Sequence, residues 1–203
     1  MGELIVVRHG RTAANAGGLL LGRLDVPLDE LGRVQAARLA EAVLAQAAVS
    51  RVPIAAVVAS PLERTRATAE AFGLPVEVDG RLVELDYGEL DGTPLADVSP
   101  EVWRDWRADP DFCPPGGGES IAALQVRVEE ACEHWAAVAR VEGTVVLVTH
   151  VSPIKAAVGW AMGIGPGAAW TTHVDQASLS RITVGGGRRV LRTFNETAHL
   201  TGE

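Results

Sequence analysis

Four cationic or potentially cationic side chains, Arg8, His9, Arg64 and His150, stand at or within one helical turn of the ends of apolar runs. Arg8-His9-Gly10 follows Leu4-Ile5-Val6-Val7, Ser60 and Arg64 follow the run at 54–59, and His150 follows the run at 144–149. If these segments meet, two guanidinium and two imidazole groups repel one another and depress the pKa of each histidine. An anion relieves that repulsion. A phosphoryl group suits best, because its tetrahedral oxygens accept several charge-assisted hydrogen bonds and match guanidinium forks. The same field keeps an imidazole neutral, and so nucleophilic, when no substrate is bound. One histidine after a strand is more often structural than catalytic, and Arg64 alone would most often be a solvated helix residue. The weight therefore rests on their joint placement.

For the four to converge, the apolar runs must be strands of one sheet. Residues 3–7, 54–59 and 144–149 read as buried strands, with weaker candidates at 178–184 and 188–194. Leu31, Val34, Leu39, Val43 and Ala47 have helical spacing, with Asp29 as an N-cap. Ser60-Pro61-Leu62-Glu63 reads as a capping box opening a helix to about Phe72, and Ser152-Pro153 as the same start for one to about Met162. A longer helix is expected from Ser120 to about Val141, with Ile121, Leu124, Val128 and Trp135 facing inward. The alternation predicts an α/β fold, a three-layer α/β/α sandwich around a mostly parallel central sheet. In such a sheet the strand carboxyl ends share one edge, where ligands bind. Residues 1–203 read as a single domain. Between about 73 and 118 the pattern loosens around a short helical piece at Trp103–Trp106, which reads as an excursion over the active site.

The bulk composition narrows the partners. With 47% hydrophobic residues, a net charge of −8 and a pI near 5.2, no nucleic-acid or membrane partner is expected, since both attract a basic excess. Cys113 and Cys132 form no framework or CxxC pair, which fits a reducing, cytoplasmic setting. The few apolar residues before Arg8 are too short for a signal-peptide core. No phosphate-binding loop motif, GxGxxG after a strand, HExxH or paired Cys/His spacing appears, so no metal and no cofactor is expected. Gly116-Gly117-Gly118 reads as a flexible turn. His134, His173 and His199 have no partner suggested by spacing.

Several motifs together resemble the histidine phosphatase superfamily, in the phosphoglycerate mutase-like branch. RHGxTxxN runs from Arg8 to Asn15, a D-x-P-L segment spans Asp25–Leu28, and SxLxR spans Ser60–Arg64. An acid motif runs from Leu82 to Gly92, a PGGES-like segment from Pro115 to Ser120, and Val148-Thr149-His150 completes the set. By this resemblance His9 is the nucleophile that becomes a phosphohistidine, and Arg8, Arg64 and His150 bind the phosphoryl oxygens. Asn15 adds an amide donor, and Glu84 protonates the leaving oxygen and then activates water. Glu84 is singled out by the motif alone, since Asp86, Glu89 and Asp91 lie close by. Val151-Ser152 stand where the family commonly has two glycines. Arg11 stands where the family commonly has Glu or Gln; it either extends the basic cluster toward the substrate or points to solvent.

The short chain and the Glu84–Gly88 segment are closer to phosphatase than to mutase relatives. The expected activity is metal-independent hydrolysis of a small phosphate monoester. A 2,3-bisphosphoglycerate-dependent phosphoglycerate mutase is the alternative, and a non-catalytic phosphate-binding regulator is the alternative from another class. A homodimer is left open. Trp103, Trp106 and Phe112 either pack the excursion onto the domain, the commoner use, or line a pocket for an apolar or ring-shaped leaving group. Sugar phosphates, phosphorylated small acids and the nucleotide-loop phosphate of cobamides stay open as substrates.

Overall fold

Leu4, Ile5, Val6 and Val7 are all buried because successive strand side chains point to opposite faces, and both faces of this strand are covered. A computed structural model describes residues 2–201. The strands are β1 (Gly2–Arg8), β2 (Ile54–Ala59), β3 (Val76–Val78), β4 (Thr144–Thr149), β5 (Leu179–Gly185) and β6 (Arg188–Glu196). The helices are α1 (Ala13–Ala16), α2 (Glu30–Ser50), α3 (Glu63–Glu70), α4 (Pro100–Ala108), α5 (Ile121–Glu142) and α6 (Val151–Met162).

The strands form one sheet in the order β3-β2-β4-β1-β5-β6. Leu4, Val6, Val58, Val145 and Leu147 pack against α5 and α6 through Leu124, Val128, Trp135 and Ile154. Ile5, Val7, Val57, Val146 and Val148 pack against α2 and α3 through Leu39, Val43 and Ala69. Each large side chain so buried contributes about 1.5–3 kcal/mol. The expected three-layer α/β sandwich is therefore present. β3, β2, β4 and β1 are parallel, while β5 and β6 run antiparallel at one edge.

Register brings the strand ends level. Arg8 pairs with Thr149 and Ala59 with Val148, and the ladder continues past the strands: His9 N donates to Thr149 O at 3.1 Å and Ser60 N to Val148 O at 3.0 Å. Three segments far apart in sequence thus deliver His9, Ser60 and His150 to one edge.

Four details depart from the expectations. α2 does begin after Asp29, whose Oδ1 accepts from Gly32 N at 2.7 Å, but Leu31 and Val34 are exposed and Ala47 is only half-buried. The buried face is Gly32, Ala36, Leu39, Ala40 and Val43, because the helix start lies against backbone: a Cβ on Gly32 would stand 2.0 Å from Arg11 O. The Ser60 capping box does not form. The N-cap of α3 is Leu62, without a side-chain bond, and Glu63 N is satisfied by Asp25 Oδ1 at 2.7 Å. α6 starts at Val151, so His150 and not Ser152 is its N-cap. The 73–118 excursion carries the edge strand β3 as well as α4, the latter capped by Ser99 with proline at its start.

Candidate active site

His9 is 3% exposed, and its Nδ1 lies 2.7 Å from Gly10 O. A carbonyl can only accept, so Nδ1 carries the proton and Nε2 keeps its lone pair. Burial first, and then the Arg64 and Arg8 charges, hold the His9 pKa well below its ordinary value near 6.5. The imidazole is therefore neutral at neutral pH, with the Nε2 lone pair available. Gly10 is dictated by helix packing, because a Cβ there would stand 2.3 Å from Gly32 O; its N–H donates to Thr68 Oγ1 at 3.1 Å.

His150 faces His9 with ring centroids 5.1 Å apart and planes at 63°. Arg64 Nε donates to His150 Nδ1 at 3.3 Å, which leaves the proton on Nε2, where it is given to Ser60 Oγ at 2.8 Å. Burial and then Arg64 and His9 lower the His150 pKa well below 6.5. The other two nitrogens of Arg64 donate to Leu24 O and Gly22 O, both at 2.7 Å. That loop is in turn held by Asp91, whose carboxylate accepts from the N–H groups of Gly22, Arg23 and Leu24 at 2.7–2.8 Å. Arg8 Nη1 donates to Val174 O at 2.7 Å, while its Nε is buried with no partner. A buried guanidinium N–H without an acceptor is costly and fits an anion. Burial lowers the pKa of both arginines, and the Glu84 carboxylate acts against that on each.

Glu84 is 3% exposed. Its carboxylate accepts from Leu85 N at 2.7 Å and from Ser152 N, in the first turn of α6, at 3.2 Å. The loop that carries it is gripped from α5: Arg127 Nη1 donates to Arg81 O at 2.6 Å and to Val83 O at 2.7 Å, and Nη2 reaches Glu84 O at 3.3 Å. Glu119, from the PGGES-like segment, fixes Arg127 through two 2.7 Å bonds.

The structure thus gathers Arg8, His9, Arg64, Glu84 and His150. Asn15 forms a capping box with Thr12, its Oδ1 accepting from Thr12 N at 3.2 Å, so Nδ2 is its remaining donor. Arg11 neither joins the cluster nor lies free; it pairs with Asp29 at 2.7 Å. Sequence reasoning missed Ser60 as the partner of His150, Asp91 as the holder of the Arg64 loop, and Arg127 with Glu119. Asp91 and Glu119 both lie inside quoted motifs, which was the available signal; Arg127 had none. Among the described residues no group of three or more His, Cys, Asp or Glu side chains is placed to hold a metal ion.

A cavity of about 250 Å³ opens beside the cluster. Leu85, next to Glu84, and Val151-Ser152, next to His150, form its near wall. Trp103 and Trp106 both line it and pack the excursion onto the core, whereas Phe112 only packs. Ser152 Oγ meets Tyr87 Oη at 3.3 Å.

A family model described as histidine phosphatase superfamily (branch 1) matches residues 4–197. Phosphoserine phosphatase 1 of Hydrogenobacter thermophilus is 34% identical over 98% of this chain and 95% of its own length. A bifunctional protein of Mycobacterium tuberculosis is 36% identical over 98% of this chain, which spans 55% of that protein. The solved structure of mycobacterial glucosyl-3-phosphoglycerate phosphatase with VO3 superposes with a TM-score of 0.83 at 28% identity, covering 97% of this chain and 100% of that one.

Proposed function

The chain belongs to the histidine phosphatase superfamily (branch 1), and on that premise we propose that it hydrolyses a small phosphate monoester through a phosphohistidine on His9. The observation that carries this reading is the bare Nε2 of a buried, neutral His9 beside Arg8, Arg64 and His150. Nε2 attacks phosphorus while the ester oxygen departs, taking a proton from the Glu84 carboxyl. Arg8 Nε supplies a hydrogen-bond donor for the charge that develops on the phosphoryl oxygens. The charges of Arg64 and the edge of His150 close the other side. In the second step the Glu84 carboxylate takes a proton from water, water oxygen bonds to phosphorus, and the P–N bond returns its electron pair to His9. Phosphate and the original protonation states result.

Arg8, His9 and His150 stand at strand ends of one sheet, Arg64 in the helix after β2, and the Glu84 loop is bonded to α5, which packs on that sheet; this supports reading the chain as a single domain. Two unpaired cysteines, one exposed and one buried, support a reducing, cytoplasmic setting.

The test is hydrolysis of p-nitrophenyl phosphate in EDTA. His9→Ala is expected to lower kcat by on the order of 10³-fold or more, and acid-labile, base-stable label from the substrate should be trapped on His9. Turnover undiminished in His9→Ala, or abolished by EDTA, would overturn the reading, and absence of turnover on a broad ester panel would favour a binding protein. Incubation with 3-phosphoglycerate and catalytic 2,3-bisphosphoglycerate separates the mutase. Interconversion far faster than phosphate release would sink hydrolysis as the function.

A further inference from the structure

The cavity beside the cluster has a lining unlike that expected for an amino-acid or sugar phosphate. Tyr87, Trp103, Trp106 and Trp170 supply four aromatic rings. Trp103 and Trp106 stack at 5.6 Å and 14°, and Trp170 stands edge-on to both, at 88° and 75°. Leu20, Leu85, Leu95, Ile121 and Leu124 add large aliphatic side chains. Such walls bind flat apolar groups by area and ring geometry.

The polar groups in the lining are few and mostly spent. Gln125 Nε2 donates to Glu129 Oε1 at 2.8 Å and to Ala156 O at 3.1 Å, and Tyr87 Oη pairs with Ser152 Oγ. No carboxylate is among the lining residues, and Lys155 is its one charged side chain. Lys155 Nζ donates to Ala169 O at 2.6 Å, with two N–H groups beyond that bond. Trp106 Nε1 is buried without a partner. Both of these can only donate. Among the lining residues an α-ammonium would meet Lys155 and no carboxylate, the Glu84 carboxylate outside the lining being engaged by Leu85 N and Ser152 N, and a sugar would leave several hydroxyl donors unsatisfied in an apolar enclosure.

We propose that the leaving group of the substrate is an alcohol carrying a flat aromatic or heteroaromatic ring system, with a hydrogen-bond acceptor or anionic group on it, which occupies this cavity against Trp103, Trp106 and Trp170. The ester oxygen then lies between Glu84 and His150, since Leu85 and Val151 begin the wall where those two residues end. Lys155 and Trp106 receive the acceptor. This rests on the phosphatase reading for turnover but on the cavity alone for binding.

The test compares primary alkyl esters of matched leaving-group chemistry, so that ring recognition is read apart from alkoxide stability. 2-(6-Carboxy-2-naphthyl)ethyl phosphate, whose ring carries the anionic acceptor, is expected to exceed O-phosphoserine and glucose 6-phosphate in kcat/KM by about 100-fold, chiefly through KM, the effect of burying one large apolar group. Trp170→Ala, at the half-buried rim, should reduce that ratio by about tenfold. Trp103→Phe is the milder second variant, expected to reduce it less if alanine there disturbs folding. Calorimetric binding of the same esters to His9→Ala gives a readout independent of catalysis and should show the same order. Equal or tighter binding and turnover of phosphoserine or glucose 6-phosphate would overturn the inference while leaving the phosphatase reading standing. Ring-selective binding without turnover by the unaltered protein would uphold it and overturn hydrolysis instead.

Discussion

Arg64 Nε donates to Nδ1 of His150 at 3.3 Å, and this one contact orders the far side of the phosphoryl site. It sets the tautomer of His150, aims the Nε2 proton at Ser60, and seats the Arg64 guanidinium against an uncharged imidazole. Arg64→Lys supplies a single ammonium that cannot reach Gly22 O, Leu24 O and His150 at once. A fall in kcat/KM on the order of 10²-fold is expected, with thermal unfolding retained. Near-normal kinetics would show that only the charge matters.

Ser60→Ala removes the acceptor of the His150 Nε2 proton without touching substrate charge. kcat is expected to fall about tenfold, and Ser60→Thr, which restores a hydroxyl, to recover part of it. An unaltered kcat in Ser60→Ala would mean that the orientation of His150 does not depend on this bond.

Arg127 acts on Glu84 only through its loop. Arg127→Met should lower kcat by roughly 10–100-fold with KM for a small ester little changed, because the carboxyl loses its position while the phosphoryl pocket stays. A rise in KM with kcat intact would place Arg127 in substrate binding instead.

His9 and His150 both have folded-state pKa values well below 6.5. Below pH 6.5 the unfolded chain takes up protons that the folded protein refuses, so stability is lost as pH falls through the unfolded value. Each histidine contributes about 1.4 kcal/mol per pH unit in that window, down to its folded pKa. Thermal melts from pH 7 to pH 5 should therefore fall more steeply for the native protein than for His150→Asn. Equal slopes would place the acid sensitivity elsewhere. The acid limb of kcat/KM that belongs to His9 is expected below pH 6.5 for the same reason.

Gly10→Ala tests the packing of the turn that carries His9 against the start of α2. Its methyl group would stand 2.3 Å from Gly32 O, backbone against backbone. The expected loss is about 3 kcal/mol or more, read as a drop of roughly 6–12 °C in Tm. A melting temperature like that of the native protein would show that α2 can shift to make room.

What the sequence by itself determined was carried in local signals. Continuous apolar runs marked β1, β2 and β4, because a strand covered on both faces leaves no polar position between its ends. The residues following those runs meet at one edge, since parallel strands end together there. The Asp29 cap was legible for the same reason, as a cap acts within three residues. Glu84 was legible only through the motif around it, since nothing in its neighbours distinguishes a buried carboxylate from a solvated one.

The remainder was decided by contacts between residues far apart in the chain. Ser60 had the pattern of a helix cap, but its hydroxyl was claimed by His150, ninety positions away. The apolar spacing of Leu31 and Val34 pointed to a buried face that α2 does not use, because the backbone approach at Gly10 and Gly32 selects its small-residue face instead. Arg11 was equally free to reach substrate or solvent until Asp29 took it. The cavity is likewise a tertiary product: its rings come from the loop around Tyr87, from α4 and from the segment before β5, and only their packing turns scattered aromatics into an enclosure. Local periodicity is written along the chain, whereas the choice among competing partners for one polar group or one helix face depends on which distant surfaces the fold brings within reach.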